Sequence, residues 1–179
     1  MAGKFEIALA LVLAFEGGVA DDQVDPGGLT KAGISLRYLR SLGPAGDTDG
    51  DGDVDRDDVL ALTRQRVHEH YRTGFYDRCR CEELPLPVAL LAFDAAVNQG
   101  PVTAIKILQR AAGVQDDGII GPVTMAAISA QAPVDLAVEL AARRARRYAR
   151  TRNFERYGLG WMRRLSAVLA AAVAEELGA

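Results

Sequence analysis

The sequence predicts a mainly α-helical protein, and two observations support this fold class. Apolar residues recur at helical spacing through most of the chain, whereas the alternating pattern of strands is nearly absent. Prolines and glycines stand at the ends of these periodic segments, where they commonly begin or stop helices. A chain of 179 residues, 49% of them hydrophobic, is long enough to bury a sizeable core.

The first part of the chain is expected to form two helices on either side of a polar segment. Residues 3–15 place an apolar stripe at helical spacing, formed by Phe5, Ala8, Leu9, Val12 and Leu13. Residues 21–32 are polar and glycine-rich, which predicts a loop with a short hairpin. A short helix over residues 35–42 follows, with Ser35 as its N-cap.

Helices also dominate the rest of the predicted structure. Residues 57–75 return to helical periodicity, and an apolar helix over residues 86–98 is expected between Pro85 and Gly100. The remaining helices are expected over residues 103–112 with Gly113 as C-cap, from Pro122 onward, over residues 133–152, and after Trp161.

Aspartates are concentrated in residues 47–58, where their spacing fits the calcium-binding loop of EF-hands. Gly52 stands at the sharp turn, and Asp58 at the last position resembles the loops of dockerin modules. Calcium prefers about six to eight oxygen ligands, and close carboxylates repel one another without a cation. The alternative is a solvated acidic loop. The expected ligands of a structural Ca²⁺ are Asp47, Asp49, Asp51, Asp53, Asp55 and Asp58.

The net charge of −3 is due to this acidic loop, and the remainder of the chain is net positive. Much of the positive charge lies in one run, formed by Arg143, Arg144, Arg146, Arg147, Arg150, Arg152 and Arg156. A basic face would suit an anionic polymer such as a bacterial envelope or nucleic acid, although a solvated helix face is the commoner explanation.

Several other kinds of site are not supported. The two cysteines are too few for a structural zinc site, and His68 and His70 point to different faces of a helix. There is no glycine-rich phosphate loop and no nucleophile elbow. No segment has the roughly 18–20 apolar residues of a membrane span. Residues 5–15 contain a glutamate and lack a cleavage site, which predicts a buried helix rather than a signal peptide.

The strongest functional pattern surrounds one acid near the start of the chain. Glu16 closes an apolar helical run that two glycines then break, and Asp25 and Thr30 follow in a glycine-rich turn. Glycosidic bond cleavage needs such a pair of carboxyl groups, one protonated to donate to the leaving oxygen and one ionised to assist from across the sugar. A glutamate by itself is weak evidence, because it could simply pair with an arginine.

Ordered motifs give the chain a family resemblance. They are Phe-Glu-Gly-Gly at residues 15–18, Asp-Pro-Gly-Gly-Leu-Thr at 25–30, and further matches within residues 93–100 and 108–124. The chain resembles glycoside hydrolase family 108, which contains phage endolysins and bacterial secretion-associated muramidases. Its second half is similar to the peptidoglycan-binding-like module usually found behind that domain.

The resemblance implies a lysozyme-like helical fold in which Glu16 is the general acid. Asp25 is expected to be the second carboxylate, acting as electrostatic stabiliser, base or nucleophile, and Thr30 is expected to position water or Asp25. The sequence leaves open whether anomeric configuration is retained or inverted, because this depends on the separation of the two carboxylates. Asp94 and Asn98, which share one helix face, are expected to meet the glycan or to brace the cleft. The alternative is that they satisfy backbone groups as polar residues inside the helix.

The resemblance therefore implies a lysozyme-type N-acetylmuramidase that cleaves the β-1,4 bond between N-acetylmuramic acid and N-acetylglucosamine. A catalytic lobe over residues 1–84, with the calcium loop inserted, is expected to pack as one unit with a peptidoglycan-binding-like lobe over residues 85–179. The alternatives are a non-catalytic peptidoglycan-binding module and a calcium-dependent interaction module.

The expected partner is the peptidoglycan glycan strand rather than nucleic acid, and the protein is expected to be a monomer that does not span a membrane. It would be made in the cytoplasm without a signal peptide. It would act in the periplasm or on the cell wall after lysis, or after export with the help of a holin or another protein.

Overall fold

The computed structural model describes residues 3–16, 19–21 and 29–178. The contacts divide the chain into two units, and we call residues 10–72 the hairpin unit. The residues up to Leu9 and those from Thr73 onward form the other, which we call the helical unit. The predicted lobe boundary at residues 84 and 85 lies inside the helical unit, and helix α1 (Lys4–Leu13) begins in the helical unit and ends in the hairpin unit.

The hairpin unit contains a small antiparallel sheet. Strands β1 (Val19–Asp21), β2 (Leu29–Lys31) and β3 (Ile34–Ser35) lie in that order. Ala32 and Gly33 connect β2 to β3 with positive φ angles of 48° and 79°. Two left-handed residues in a two-residue connection are the pattern of a type I′ turn, whose twist matches that of the paired strands. A short hairpin is therefore present as predicted, but it spans residues 29–35 and so extends beyond the expected segment of residues 21–32. Residues 22–28 of that segment lie outside the described residues.

Three short helices follow the sheet. The Ser35 hydroxyl accepts the Tyr38 N–H at 3.1 Å, so the predicted N-cap is confirmed. Two helices replace the single one predicted over residues 57–75, because Thr63 is extended and its side chain caps a new helix through the Arg66 N–H. The helices of this unit are α2 (Leu36–Ser41), α3 (Arg56–Ala61) and α4 (Arg64–Tyr71).

The helical unit is built around one buried apolar helix, α5, which packs against α6, α8 and α9. Gly113 ends α6 with a φ of 77°, and Pro122 begins α7, as predicted. Within the described residues no single helix is long and apolar enough to cross a membrane, and α7 and α8, bent by 115°, meet those criteria only as a pair. The helices are α5 (Leu86–Gln99), α6 (Pro101–Ala112), α7 (Pro122–Ser129), α8 (Pro133–Tyr148) and α9 (Phe154–Leu177).

The last helix starts earlier than the sequence pattern suggests. Gly160 and Trp161 are expected to precede it, but α9 already begins at Phe154. A β-carbon placed on Gly158 would lie 2.8 Å from the Phe154 ring, and Trp161 stacks on Tyr148 with ring centroids 5.1 Å apart. These aromatic contacts offset the cost of glycine inside a helix, about 1 kcal/mol per residue.

The first residues of α1 belong to the core of the helical unit. The Phe5 ring packs edge-on against Tyr76 and Phe93, with centroids 4.9 and 6.1 Å away. Lys4 Nζ donates to the backbone carbonyls of Glu82 and Leu84, each at 2.7 Å. The start of the chain therefore contacts residues more than seventy positions further along it.

Candidate active site

Glu16 follows the end of α1 and lies against the turn of the hairpin. Its backbone N–H donates to the Val12 carbonyl at 3.2 Å, which continues the helical path just beyond Leu13. Its side chain is half-buried. A β-carbon placed on Gly33 would lie 2.8 Å from Glu16 Oε2. The carboxyl group therefore packs directly on the backbone of the turn.

Tyr71, at the end of α4, approaches the same glycine. A β-carbon on Gly33 would overlap the Tyr71 hydroxyl. That hydroxyl donates to the Ala32 carbonyl at 2.9 Å, and Tyr71 is completely buried. The Glu16 carboxyl and the Tyr71 hydroxyl thus both pack against Gly33. Position 33 requires glycine because its φ angle is positive and because these two groups occupy the space of a side chain.

Other contacts fix the hairpin in place. Leu29 and Ile34 are buried, and Lys31 Nζ donates to the Leu60 carbonyl at 2.6 Å. Leu60 lies near the C-terminus of α3, where the partial negative charge of a helix favours a cation. The surface on which the Glu16 carboxyl rests is therefore held both by apolar burial and by hydrogen bonds.

The other two predicted catalytic residues belong to the same part of the sequence. Thr30 lies in β2, opposite Ala20 of β1 and Ser35 of β3. Side chains alternate along a strand, so Thr30 points to the opposite face of the sheet from the buried Leu29. Asp25 lies outside the described residues, and its role stays a prediction.

Asp94 lies in the interior of the helical unit and is 0% exposed. Its Oδ2 accepts from Arg144 Nη2 at 2.6 Å, and its Oδ1 accepts from Arg164 Nε at 2.7 Å. The carboxylate of α5 is thereby joined to α8 and α9 by two charged hydrogen bonds. This arrangement favours the bracing alternative for Asp94.

Asn98 lies one turn further along α5 and is exposed. Its Oδ1 accepts from the Tyr148 hydroxyl at 2.6 Å, and that hydroxyl in turn accepts from Arg144 Nη2 at 3.1 Å. Asn98 therefore continues the network of Asp94 to the surface, and its contact with substrate stays a prediction.

The aspartate loop ends in an enclosed carboxylate. Asp58 is 1% exposed and accepts the backbone N–H groups of Thr48, of Asp55 at 2.7 Å and of Asp49 at 3.3 Å. Burial raises the pKa of the Asp58 carboxyl, but these three donors lower it, and the net pKa lies below the ordinary aspartate value. The last predicted ligand position is thus ionised and already fixed by the loop.

The remaining loop carboxylates lie close together and repel one another. Partial loss of hydration and the charges of its neighbours raise the pKa of Asp49. The charge of Asp51 is the main cause that raises the pKa of Asp53. Two groups of carboxylates have oxygen atoms within 4.8 Å of one another, and these are Asp47, Asp49 and Asp58, and Asp53, Asp55 and Asp58.

Residues 9–100, which contain Glu16, the hairpin and Tyr71, match the family model described as glycosyl hydrolase 108. The chain belongs to this family. Residues 103–166 of the family 108 protein match a second model, described as a predicted peptidoglycan domain. The two matches together indicate a peptidoglycan-related glycoside hydrolase. The mainly α-helical structure is consistent with the lysozyme-like fold that the sequence predicts.

The structure of SagA from Brucella abortus is similar to the structure of this chain over nearly its whole length. The two are 34% identical, and the match covers 95% of this chain and 94% of that one with a TM-score of 0.86. Among curated proteins no significant match was found.

The sequence motifs do not indicate that Glu16 packs on Gly33 or that Tyr71 contacts the turn. Ala32 and Gly33 between two short runs that contain β-branched residues were a usable signal for the turn. The sequence gives no sign that Tyr71 reaches this turn, because the two lie nearly forty positions apart.

Proposed function

We propose that this family 108 hydrolase is a lysozyme-type N-acetylmuramidase that cleaves the β-1,4 bond between N-acetylmuramic acid and N-acetylglucosamine. Glu16 is the general acid and donates its proton to the glycosidic oxygen as the bond breaks. The observation that carries the proposal is the packing of the Glu16 carboxyl on Gly33, inside the segment that matches the family model.

The hairpin explains how a flexible glutamate becomes a positioned acid. A general acid must stay within hydrogen-bond distance of one oxygen, and a displacement of about 1 Å can cost a hundredfold in rate. The missing side chain at Gly33 lets the carboxyl rest on the turn, while Tyr71 holds the turn through the Ala32 carbonyl. The local backbone therefore restricts where the Glu16 proton is offered.

In this mechanism Asp25 supplies the second carboxylate and Thr30 positions the attacking water or Asp25 itself. Asp25 either stabilises the oxocarbenium-like transition state, activates water or forms a covalent intermediate. The anomeric configuration of the first product, read by NMR at early times, distinguishes retention from inversion.

We further propose that residues 47–58 hold a structural Ca²⁺ that takes no part in the chemistry. The raised pKa values of Asp49 and Asp53 support this, because they report unfavourable crowding of negative charge that a cation would relieve. Oxygen atoms are also the only ligands these side chains offer, and oxygen ligands suit calcium.

The test of the muramidase proposal compares wild type with Glu16→Gln on purified peptidoglycan sacculi. Glutamine has nearly the same shape but cannot donate the proton, so release of new reducing ends should fall by about 10²–10⁴-fold. Sacculus binding, measured by co-sedimentation, should remain. Glu6→Gln removes the same charge from an exposed residue of α1 and is the matched control, expected to keep wild-type activity.

Two outcomes would contradict the proposal. Unchanged release of reducing ends by Glu16→Gln would exclude Glu16 as the acid. Binding of sacculi by wild type without release of reducing ends would instead identify a non-catalytic binding module.

A further inference from the structure

A cleft of about 570 Å³ in the helical unit is lined mainly by arginines. Its volume lies within the usual range of small-ligand sites, which is about 300–1,000 Å³. Ile107 of α6 and Thr151 complete the lining. The arginines are Arg110, Arg143, Arg146, Arg147 and Arg150.

Helical spacing and helix packing bring these side chains to one place. Arg143, Arg147 and Arg150 follow one another at three- or four-residue intervals and therefore share a face of α8 and its C-terminal extension. Arg110 lies one turn after Ile107 on α6, which packs against α8. The charges consequently line a concavity between two helices, and are not spread over a convex helix face.

Among the described residues, acidic side chains compensate two of these five arginines. Arg110 Nε donates to Asp116 at 2.7 Å, and Arg143 Nε lies 2.7 Å from Glu139 Oε1. In the part of the chain that the structure describes, no carboxylate forms a salt bridge with Arg146, Arg147 or Arg150. The cleft therefore keeps a net positive charge.

The arginines of this run differ in the direction of their side chains. Arg144 turns inward, is completely buried and binds Asp94. The cleft arginines turn outward, and Arg146, Arg147 and Arg150 are exposed. Arg146 and Arg147 in the last turn of α8 and Arg110 in the last turn of α6 also interact favourably with their helix dipoles, but this effect does not explain why the three side chains line the same cleft.

We infer that this cleft binds the carboxylates of a peptidoglycan stem peptide. The inference rests on the peptidoglycan-related function, and residues 107–151 all lie within the segment that matches the peptidoglycan domain. In peptidoglycan the glycan is largely uncharged, whereas the stem peptides carry several free carboxylates a few bonds apart. Arginine matches this chemistry because its planar fork binds a carboxylate through two parallel hydrogen bonds.

The size and the charge of the cleft favour a short acidic peptide over a large polyanion. A volume of about 570 Å³ accommodates a few residues, whereas it is too small to enclose a nucleic acid duplex. A site of this kind recognises the peptide and not the scissile bond. It therefore lowers KM for peptide-bearing glycan and leaves kcat unchanged.

The experiment is a calorimetric titration with a synthetic stem tetrapeptide, and with the same peptide carrying carboxamides in place of carboxylates. Wild type should bind the acidic peptide at least about tenfold more tightly, because charged hydrogen bonds are lost with the amides. The double variant Arg146→Glu with Arg150→Glu should lose about tenfold or more in affinity for the acidic peptide.

Matched variants separate a specific site from general attraction. Arg78→Glu with Arg163→Glu makes the same change in net charge at exposed positions of the helical unit and should bind like wild type. Arg146→Lys with Arg150→Lys keeps the charge but loses the fork, so its affinity should lie between those of wild type and the glutamate variant.

Three results would overturn the inference. These are equal binding of the acidic and amidated peptides, equal loss of affinity in the cleft and control variants, and tight binding of an oligonucleotide without binding of the acidic peptide. The peptides contain no glycosidic bond, so the titration is independent of glycan cleavage. If wild type releases reducing ends but does not bind the acidic peptide, only this inference is contradicted. If wild type binds the peptide but releases no reducing ends, only the muramidase proposal is contradicted.

Discussion

Among the residues that the structure describes, each unit buries one aspartate almost completely, and the two carboxylates are compensated in different ways. Asp94 of the helical unit is bound by two side chains, Arg144 and Arg164. Asp58 of the hairpin unit is bound by backbone N–H groups of its own loop. One arrangement joins three helices that are distant in the sequence, whereas the other organises a dozen consecutive residues.

The two units are therefore sensitive to different substitutions. Removing the charge of Asp94 leaves the completely buried Arg144 and the largely buried Arg164 without their counter-charge, so the cost falls on all three helices. Around Asp58 the other carboxylates are close to solvent and crowded, so removing charge there relieves repulsion. The helical unit depends on paired charges, and the hairpin unit depends on backbone geometry.

Among the variants that test this comparison, Asp94→Asn should change stability the most. The unfolding free energy should fall by about 3–5 kcal/mol, because Arg144 and Arg164 lose their buried counter-charge. Urea denaturation followed by the fluorescence of Trp161, the single tryptophan, measures this, since its ring stacks on Tyr148. Asp116→Asn, which removes a partner of Arg110 at the surface, should change little. Equal unfolding midpoints for the two variants would show that the buried network is dispensable.

Gly33→Ala tests the dependence of the hairpin unit on its backbone. Gly43→Ala is the matched control, because Gly43 has a φ of +61° and nothing within 4 Å of an added β-carbon. Both variants carry the strain of a left-handed alanine, about 1 kcal/mol. Only Gly33→Ala displaces Glu16 and Tyr71, so it should lose about a hundredfold in the release of reducing ends per folded molecule. Similar activities in both variants would mean that this contact does not position the acid.

The smallest change in stability is expected in the aspartate loop. Removing charge there should stabilise the protein, whereas removing the charge of Asp94 should destabilise it. Asp49 and Asp53 have raised pKa values, so their ionised forms are less favourable in the folded state than in the unfolded one. Replacing both by asparagine should therefore raise the melting temperature slightly in chelator, and remove the increase that calcium gives to wild type. Circular dichroism melts with calcium and with chelator measure this. A wild-type melting temperature that calcium does not change would contradict the proposed metal site.

Features determined by neighbouring residues could be predicted from the sequence. The cap at Ser35, the left-handed end at Gly113 and the start at Pro122 each depend on one residue and the backbone beside it. The break before Thr63 was missed because apolar periodicity continues across it. The early start of α9 was missed because packing of Phe154 against Gly158 compensates for a weak helix former.

The site was predicted only as far as its residues act locally. Glu16 was visible because the helix ends beside it, but its support by Gly33 and Tyr71 depends on the folded chain. The spacing of Asp94 and Asn98 indicated a shared face without indicating what covers that face. The sequence likewise indicated the positive charge of the arginine run, but not that Arg144 is buried while its neighbours line a cleft.

The contacts of Lys4 and Phe5 have a consequence for the order in which the protein can fold. Their partners, among them Tyr76, Phe93 and the Leu84 carbonyl, are synthesised only after the whole of the hairpin unit. Emerging from the ribosome, the hairpin unit is complete while the helical unit still lacks most of its residues. Closing the long intervening loop adds an entropic cost, but one that grows only slowly with length. A substitution at Lys4 or Phe5 therefore destabilises the helical unit, which is synthesised last. It does so although these two residues are much closer in the sequence to Glu16 of the hairpin unit.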